Sequence, residues 1–255
     1  MVRGFYAAAS GVFTSQKSLN VISNNIANAT TAGYKSQSTI ESSFGDHLIN
    51  RMSELDSVAQ NNIGPGSYMT VNSSEYTDFT QGSLESTGRA VDMAINGDGF
   101  FLVESELYGP VLTRNGQFEI DSEGDLFLPG AGKVLNDGED TINLESSNFT
   151  ISATGVISVD GEEADTLFIA KPSEETVLKS VGNGLFQANE DGGYDQAESG
   201  TYSVMQGTLE KSNINMAQEM SKIIAGQNHY NSCTQMIKMY DKINELTVNQ
   251  IGRIG

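Results

Sequence analysis

Few side chains in this sequence have the reactivity that catalysis needs, and they are scattered. Two histidines, His47 and His229, and one cysteine, Cys233, occur in 255 residues. A Ser-His-carboxylate site requires a histidine beside a particular serine and acid, and no Gly-x-Ser-x-Gly elbow is present to offer the nucleophile. The histidines therefore read as solvent-facing or interface residues. Cys233 has no base near it in sequence to generate a thiolate, so it reads as a small buried residue on a helix. The run Asp121-Ser122-Glu123-Gly124-Asp125 has the look of a calcium loop. It lacks the bidentate glutamate six residues after the glycine and the flanking helices, so a hairpin turn is expected. Gly97-Asp98-Gly99 is followed by Phe100-Phe101 rather than by a third glycine and a helix, which argues against a dinucleotide loop. No enzyme activity, cofactor or metal is expected.

The other chemistry legible in the chain is hydrogen bonding. Asn20, Asn24 and Asn28 recur at every fourth residue, with Asn25 beside them. Asparagine is a poor helix former, costing a few tenths of a kcal/mol relative to alanine, roughly the spread among ordinary residues. Two readings stay open: a solvated polar face, or a neutral strip of amides that bonds other helices without charge repulsion.

The elements that would carry these residues are clear at the two ends. From Arg3 to Thr31, Phe5, Ala8, Val12, Ser15, Leu19, Ile22, Ile26 and Ala29 alternate spacings of three and four, a heptad seam weakened at Ser15. Gly33 is expected to stop this helix. From Asn215 to Ile251 a second helix is predicted, with Asn215 as N-cap and Met216, Met220, Ile223, Tyr230 and Ile237 on one seam. Packed only on each other, two such helices leave apolar residues such as Phe13, Val21, Met239 and Val248 uncovered. Packing among several subunits answers that, and an intramolecular two-helix stalk is the alternative.

Between the helices the pattern changes. Short apolar runs (Val91–Ile95, Phe100–Val103, Gln117–Ile120, Val156–Val159, Leu167–Ala170) alternate with turn dipeptides such as Asn96-Gly97, Asn115-Gly116, Asp160-Gly161 and Asn183-Gly184. This predicts an antiparallel, hairpin-rich β domain. The expected organisation is an N-terminal helix over 1–35, an extended connector over 36–75, a β domain over 76–209 and a C-terminal helix over 210–255. Within the connector, Phe44–Val58 reads as a short helix and Asn61–Ser67 as irregular.

Composition limits the partners. Thirty-three acidic residues against 14 lysines and arginines give a net charge of −19, which opposes nucleic acid and anionic membrane surfaces. No run of about 18 apolar residues could span a bilayer, and a single cysteine precludes an internal disulfide. The opening residues lack the apolar block and cleavage site of a secretory signal. Taken alone, these features predict a cytoplasmic protein.

Four motifs change that expectation. Ala8-Ala9-Ser10-Gly11 followed by Ser23-Asn24-Asn25-Ile26-Ala27-Asn28-Ala29-Thr30-Thr31-Ala32-Gly33-Tyr34-Lys35 resembles the opening of bacterial flagellar rod and hook proteins. Gln81-Gly82-Ser83-Leu84 through Asp92-Met93-Ala94-Ile95-Asn96-Gly97-Asp98-Gly99-Phe100-Phe101 is similar to their shared central motif, and Leu112-Thr113-Arg114-Asn115-Gly116-Gln117-Phe118 continues it. Gln206-Gly207-Thr208-Leu209-Glu210-Lys211-Ser212-Asn213 resembles their closing motif. Residues 131–200 match only in general character. Gln227-Asn228-His229-Tyr230-Asn231 departs from relatives, which usually carry Arg and Ala between the Gln and the Tyr.

The resemblance implies a proximal or distal rod member with a mainly β central domain flanked by long terminal helices that pair as a coiled coil. It implies polymerisation through those helices into the axial tube between motor and hook, with copies of the same chain and other rod or hook subunits as partners. It also implies export through the flagellar type III apparatus without a cleaved signal, to the basal body. The expected helix-packing residues are Phe5, Val12, Leu19, Ile22, Asn24, Asn25, Ile26, Asn28, Met216, Met220, Ile223, Tyr230 and Ile237. A competing reading is a secreted β-rich binding module or adhesin with an oligomerising helical stalk.

Overall fold

A computed structural model describes residues 2–43, 70–138, 140–144, 149–173, 176–189, 193–198 and 200–251. The short helix expected at Phe44–Val58 and the irregular stretch Asn61–Ser67 lie outside the described residues. The chain divides into two units. One comprises residues 1–27, 36–78 and 215–255; the other comprises 28–35 and 79–214.

The second unit is antiparallel β structure. Its largest sheet centres on the hairpin Phe100–Ser105 and Gly109–Thr113. Leu185–Ala188 and Leu178–Gly182 extend it on one side. Gly132–Val134, Leu126–Leu128 and Glu119–Ile120 extend it on the other. Phe149–Ile151, Val156–Val159 and Glu162–Thr166 form a smaller sheet. Strand Phe100–Ser105 reads as a continuous apolar run because both of its faces are covered. Phe101 and Val103 enter the main core with Met93, Phe118, Leu126 and Ile169. Phe100 and Leu102 enter a second cluster with Leu112, Phe168 and Phe186.

Two turn dipeptides do what their chemistry predicts. Asp160-Gly161 and Asn183-Gly184 both have positive φ at each residue and connect adjacent paired strands, the geometry of a type I′ hairpin. Asn96-Gly97 differs. It ends strand Met93–Gly97, which pairs with Tyr202–Gln206 and not with the strand that follows it. Here the glycine serves close packing, because a Cβ on Gly97 would lie 2.5 Å from the Thr201 carbonyl oxygen.

The first unit holds helices α1 (Val2–Ala27) and α2 (Met216–Ile251) and the antiparallel pair Gln37–Ser43 with Thr70–Thr77. Asn215 caps α2, its Oδ1 accepting from the amides of Ala217 and Gln218 at 3.1 and 3.3 Å.

The expected fold class needs correction at the helices. Among the described residues there are only two helices, α1 is short, and no long paired coiled coil is formed. α1 ends at Ala27, four residues before the predicted end at Thr31, and Gly33 lies beyond it. Heptad packing needs large apolar knobs on both partners, but the buried residues in the first half of α1 are Ala8, Ser10, Gly11, Thr14 and Ser15. The hydroxyls of Ser10 and Thr14 bond back to Ala7 and Gly11 of their own helix. α1 meets α2 at glycines: a Cβ on Gly11 would lie 2.8 Å from Cys233 Sγ, and one on Gly226 would lie 3.0 Å from Leu19. α1 also packs on the strand pair. Phe5, Met216 and Met220 of the predicted seam remain exposed.

Candidate functional site

The most organised polar site is a buried cluster in the β unit. Lys35 and Glu210 are each 1 % exposed and Arg114 is 5 % exposed. Lys35 Nζ donates to Glu210 Oε1 at 2.6 Å and to the Thr80 carbonyl at 2.8 Å. Arg114 Nη1 donates to Glu210 Oε2 at 3.3 Å, and Nη2 to the Gly97 carbonyl at 2.8 Å. The Gly82 amide completes the carboxylate at 2.8 Å. The guanidinium stacks over Phe100, 5.1 Å from its ring centroid. Burial pulls the Arg114 pKa below its usual value, and the adjacent Glu210 charge opposes that shift.

Backbone geometry makes the cluster possible. Gly33 donates its amide to the Glu210 carbonyl at 2.7 Å. It has φ +66°, and a Cβ there would lie 2.3 Å from the Arg114 carbonyl carbon. Glycine at 33 therefore serves a close approach, not the helix end expected of it. Gly82 is equally constrained, since a Cβ would lie 1.9 Å from the Lys211 carbonyl oxygen. Three donors hold the one carboxylate, so its oxygens are committed to the two cations and the Gly82 amide. It ties the segment before Ser36, the strand Thr208–Glu210 and the turn after Gly109–Thr113 to one point.

The helical unit places the predicted packing residues as follows. Ile22 and Asn25 are buried; Val12, Leu19, Ile26, Ile223, Tyr230 and Ile237 are half-buried; Phe5, Asn24, Met216 and Met220 are exposed. Asn28, half-buried, belongs to the β unit. Asn25 is used inside the subunit. Its Nδ2 donates to the Gln37 carbonyl at 2.8 Å and its Oδ1 accepts from the Gln37 amide at 3.0 Å, mimicking a strand partner. The same Nδ2 reaches Glu219 at 3.3 Å, and Lys222 pairs with Glu219 at 2.6 Å.

The remaining candidates within the described residues are held by ordinary side-chain and backbone partners. His229 Nδ1 bonds Ser15 Oγ at 2.7 Å, within a groove of about 490 Å³. The other ring nitrogen lies 4.0 Å from Cys233 Sγ, so the cysteine, read from the sequence as lacking a nearby base, has this imidazole one helical turn before it. His47 lies outside the described residues. Asp121, Glu123 and Asp125 lie close together within a hairpin turn. Asp121 Oδ1 accepts from the Glu123 and Asp125 amides, and Asp125 is held by Lys133 at 2.5 Å and Asn143 at 2.7 Å. Those bonds draw the Asp125 pKa below its usual value.

Charge is divided sharply along the chain. Residues 76–209 carry 24 acidic and five basic side chains, a net of −19 that equals the charge of the whole protein. α1 has no acidic residue, and α2 has three acidic and three lysine side chains. Large apolar side chains nevertheless stand exposed on both helices, among them Tyr6, Phe13, Met236, Met239, Ile243 and Leu246.

Three family models match the chain. The flagella basal body rod protein model covers residues 5–35, the flagellar hook protein FlgE/F/G D1 domain covers 94–159, and the flagellar basal body rod FlgEFG protein C-terminal model covers 205–251. Each matched stretch supplies one member of the buried cluster: Lys35, Arg114 and Glu210. The flagellar basal-body rod protein FlgG of Bacillus subtilis (strain 168) is 30 % identical over 98 % of this chain and 99 % of its own length. The flagellar basal-body rod protein FlgF of Caulobacter vibrioides is 26 % identical, and the flagellar hook-basal body complex protein FlhO of Bacillus subtilis 27 %, each over the full length of both chains. The end-to-end likeness and the shared motifs together establish that the chain belongs to the flagellar basal-body rod protein family.

Proposed function

We propose that this chain is a non-enzymatic structural subunit of the flagellar basal-body rod that transmits torque by packing against copies of itself and other rod and hook subunits. The observation that carries this reading is the separation of charge from apolar surface. The stretch 76–209, of net charge −19, repels its own copies, whereas the helices are near neutral and expose large apolar side chains, as surfaces that mate with protein do. The acidic exterior discourages casual aggregation, so contact is directed to the helices. Membership in this family further suggests export through the flagellar type III apparatus without a cleaved signal. The test is deletion of the gene followed by isolation of basal bodies. Truncated rods and lost motility, both restored by the intact chain, are expected; complete rods in the deletion strain would refute the reading.

A further inference from the structure

We propose that His229 Nε2 and Cys233 Sγ form a binding site for a thiophilic transition-metal ion, represented by Zn²⁺, with water completing its coordination. The site goes beyond the rod reading and uses only groups of the helical unit. The two residues stand one turn apart on α2, so their side chains share a face. Nε2 lies 4.0 Å from Sγ. With Zn–N bonds of about 2.0–2.1 Å and Zn–S bonds of about 2.3 Å, an ion between these atoms closes an angle of roughly 130°. Drawing the two atoms together by about 0.4 Å makes that angle tetrahedral, the geometry zinc adopts in proteins. A thiolate with an imidazole selects zinc or copper(I) over magnesium and calcium, which take oxygen ligands. The metal displaces the thiol proton, so its binding releases a proton to solvent.

The surroundings prepare both ligands. Ser15 of α1 is 5 % exposed, and its Oγ lies 2.7 Å from His229 Nδ1. A ligating imidazole holds the metal on one nitrogen and donates its other N–H to a fixed acceptor. With Nδ1–H donating to Ser15, the Nε2 lone pair is left on the side of the thiol. Gly11 of α1 provides the recess in which the pair sits, since a Cβ there would lie 2.8 Å from Sγ and 3.7 Å from His229 Cε1. Cys233 is nearly buried, whereas His229 is exposed and borders the groove of about 490 Å³, which gives water ligands room. Glu219 and Lys222 border the same groove but pair with each other at 2.6 Å, and Asn25 also bonds Glu219. Neither is needed as a ligand. Bound metal would fix the imidazole that joins α2 to Ser15, and so fasten the two helices of one subunit.

The test titrates Co²⁺ into the untagged, reduced full chain. Cys233 is the single cysteine and the chain has no tryptophan, so a thiolate-to-cobalt charge-transfer band in the near ultraviolet reports this site alone. The band is expected to saturate at one equivalent, to be bleached by Zn²⁺ and to survive Mg²⁺. Ser15→Ala, which removes the acceptor behind the imidazole, should weaken cobalt binding by about tenfold. His229→Ala, at an exposed position, removes a ligand and should weaken it beyond the roughly hundredfold that outer partners reach. No band, or a band of equal affinity in His229→Ala, would overturn the proposal, because the thiol would then bind without the histidine. A measurement on the wild-type chain guards against a variant that misfolds. Zn²⁺ must shift the ¹⁵N resonance of His229 Nε2 and protect Cys233 from alkylation; failure of either refutes the site.

Discussion

Replacing Glu210 with glutamine probes the buried cluster directly. The carboxylate faces Lys35 at 2.6 Å and Arg114 at 3.3 Å, all three groups being nearly inaccessible to solvent. Glutamine keeps the shape and can still accept from Gly82, but it removes the charge with which both buried cations pair. Removing one partner of a buried ion pair costs about 3–5 kcal/mol, because the surviving charge stays desolvated. For a unit of this size each kcal/mol moves the melting temperature by about 4 °C, so a fall of roughly 12–20 °C is expected. Thermal unfolding of the full chain, followed through its β signal, measures it. Salt supplies the control. An exposed pair would be screened at about 1 M salt, whereas a buried one is screened much less, so the difference between wild type and variant should persist at high salt. A fall of less than about 4 °C, or one abolished by salt, would show that the charges reach water and that the cluster does not hold the segments together.

Two further outcomes follow from the same coordinates. The Asp125 carboxylate is held below its usual pKa by Lys133 and Asn143. Its contribution is therefore present above the unfolded value, about 3.9, and is lost as pH falls through the lower folded value. Asp125→Asn should be less stable than wild type at pH 7, the gap closing towards pH 2 in denaturant titrations; a gap independent of pH would contradict the assignment. Asn25→Ala removes both bonds to the Gln37 backbone and orphans them, at about 1–3 kcal/mol for each unsatisfied group. Amide exchange at Gln37 should accelerate by tenfold or more, and unchanged protection would refute the pairing.

Much of this protein was legible in its residues because the relevant signals are local. Asp160-Gly161 and Asn183-Gly184 specify their turns through positive φ, and Asn215 specifies a helix start through its own side-chain oxygen. The apolar run Phe100–Val103 announced a strand. The four motifs and their order carried the family. Asn96-Gly97 was misread as a hairpin because the dipeptide tells how the backbone bends, not which strand lies alongside.

What depended on tertiary structure was the partnership of groups far apart in the chain. Heptad spacing in α1 put Ala8 and Ser15 on the buried face and Phe13 off it, but did not show that Gly11 is buried there while Phe5 stays out. Side-chain volume against a particular neighbour decides that, and the neighbour is more than 200 residues away. Asn25 belonged to a strip of amides in the sequence, yet folding turned it to the Gln37 backbone and left Asn20 and Asn24 exposed. Lys35, Arg114 and Glu210 looked like ordinary polar motif residues. Composition alone establishes an acidic protein with near-neutral ends; only the fold closes three distant motifs around one carboxylate, because the cost of burying a charge can be met only by partners that the chain brings together in space.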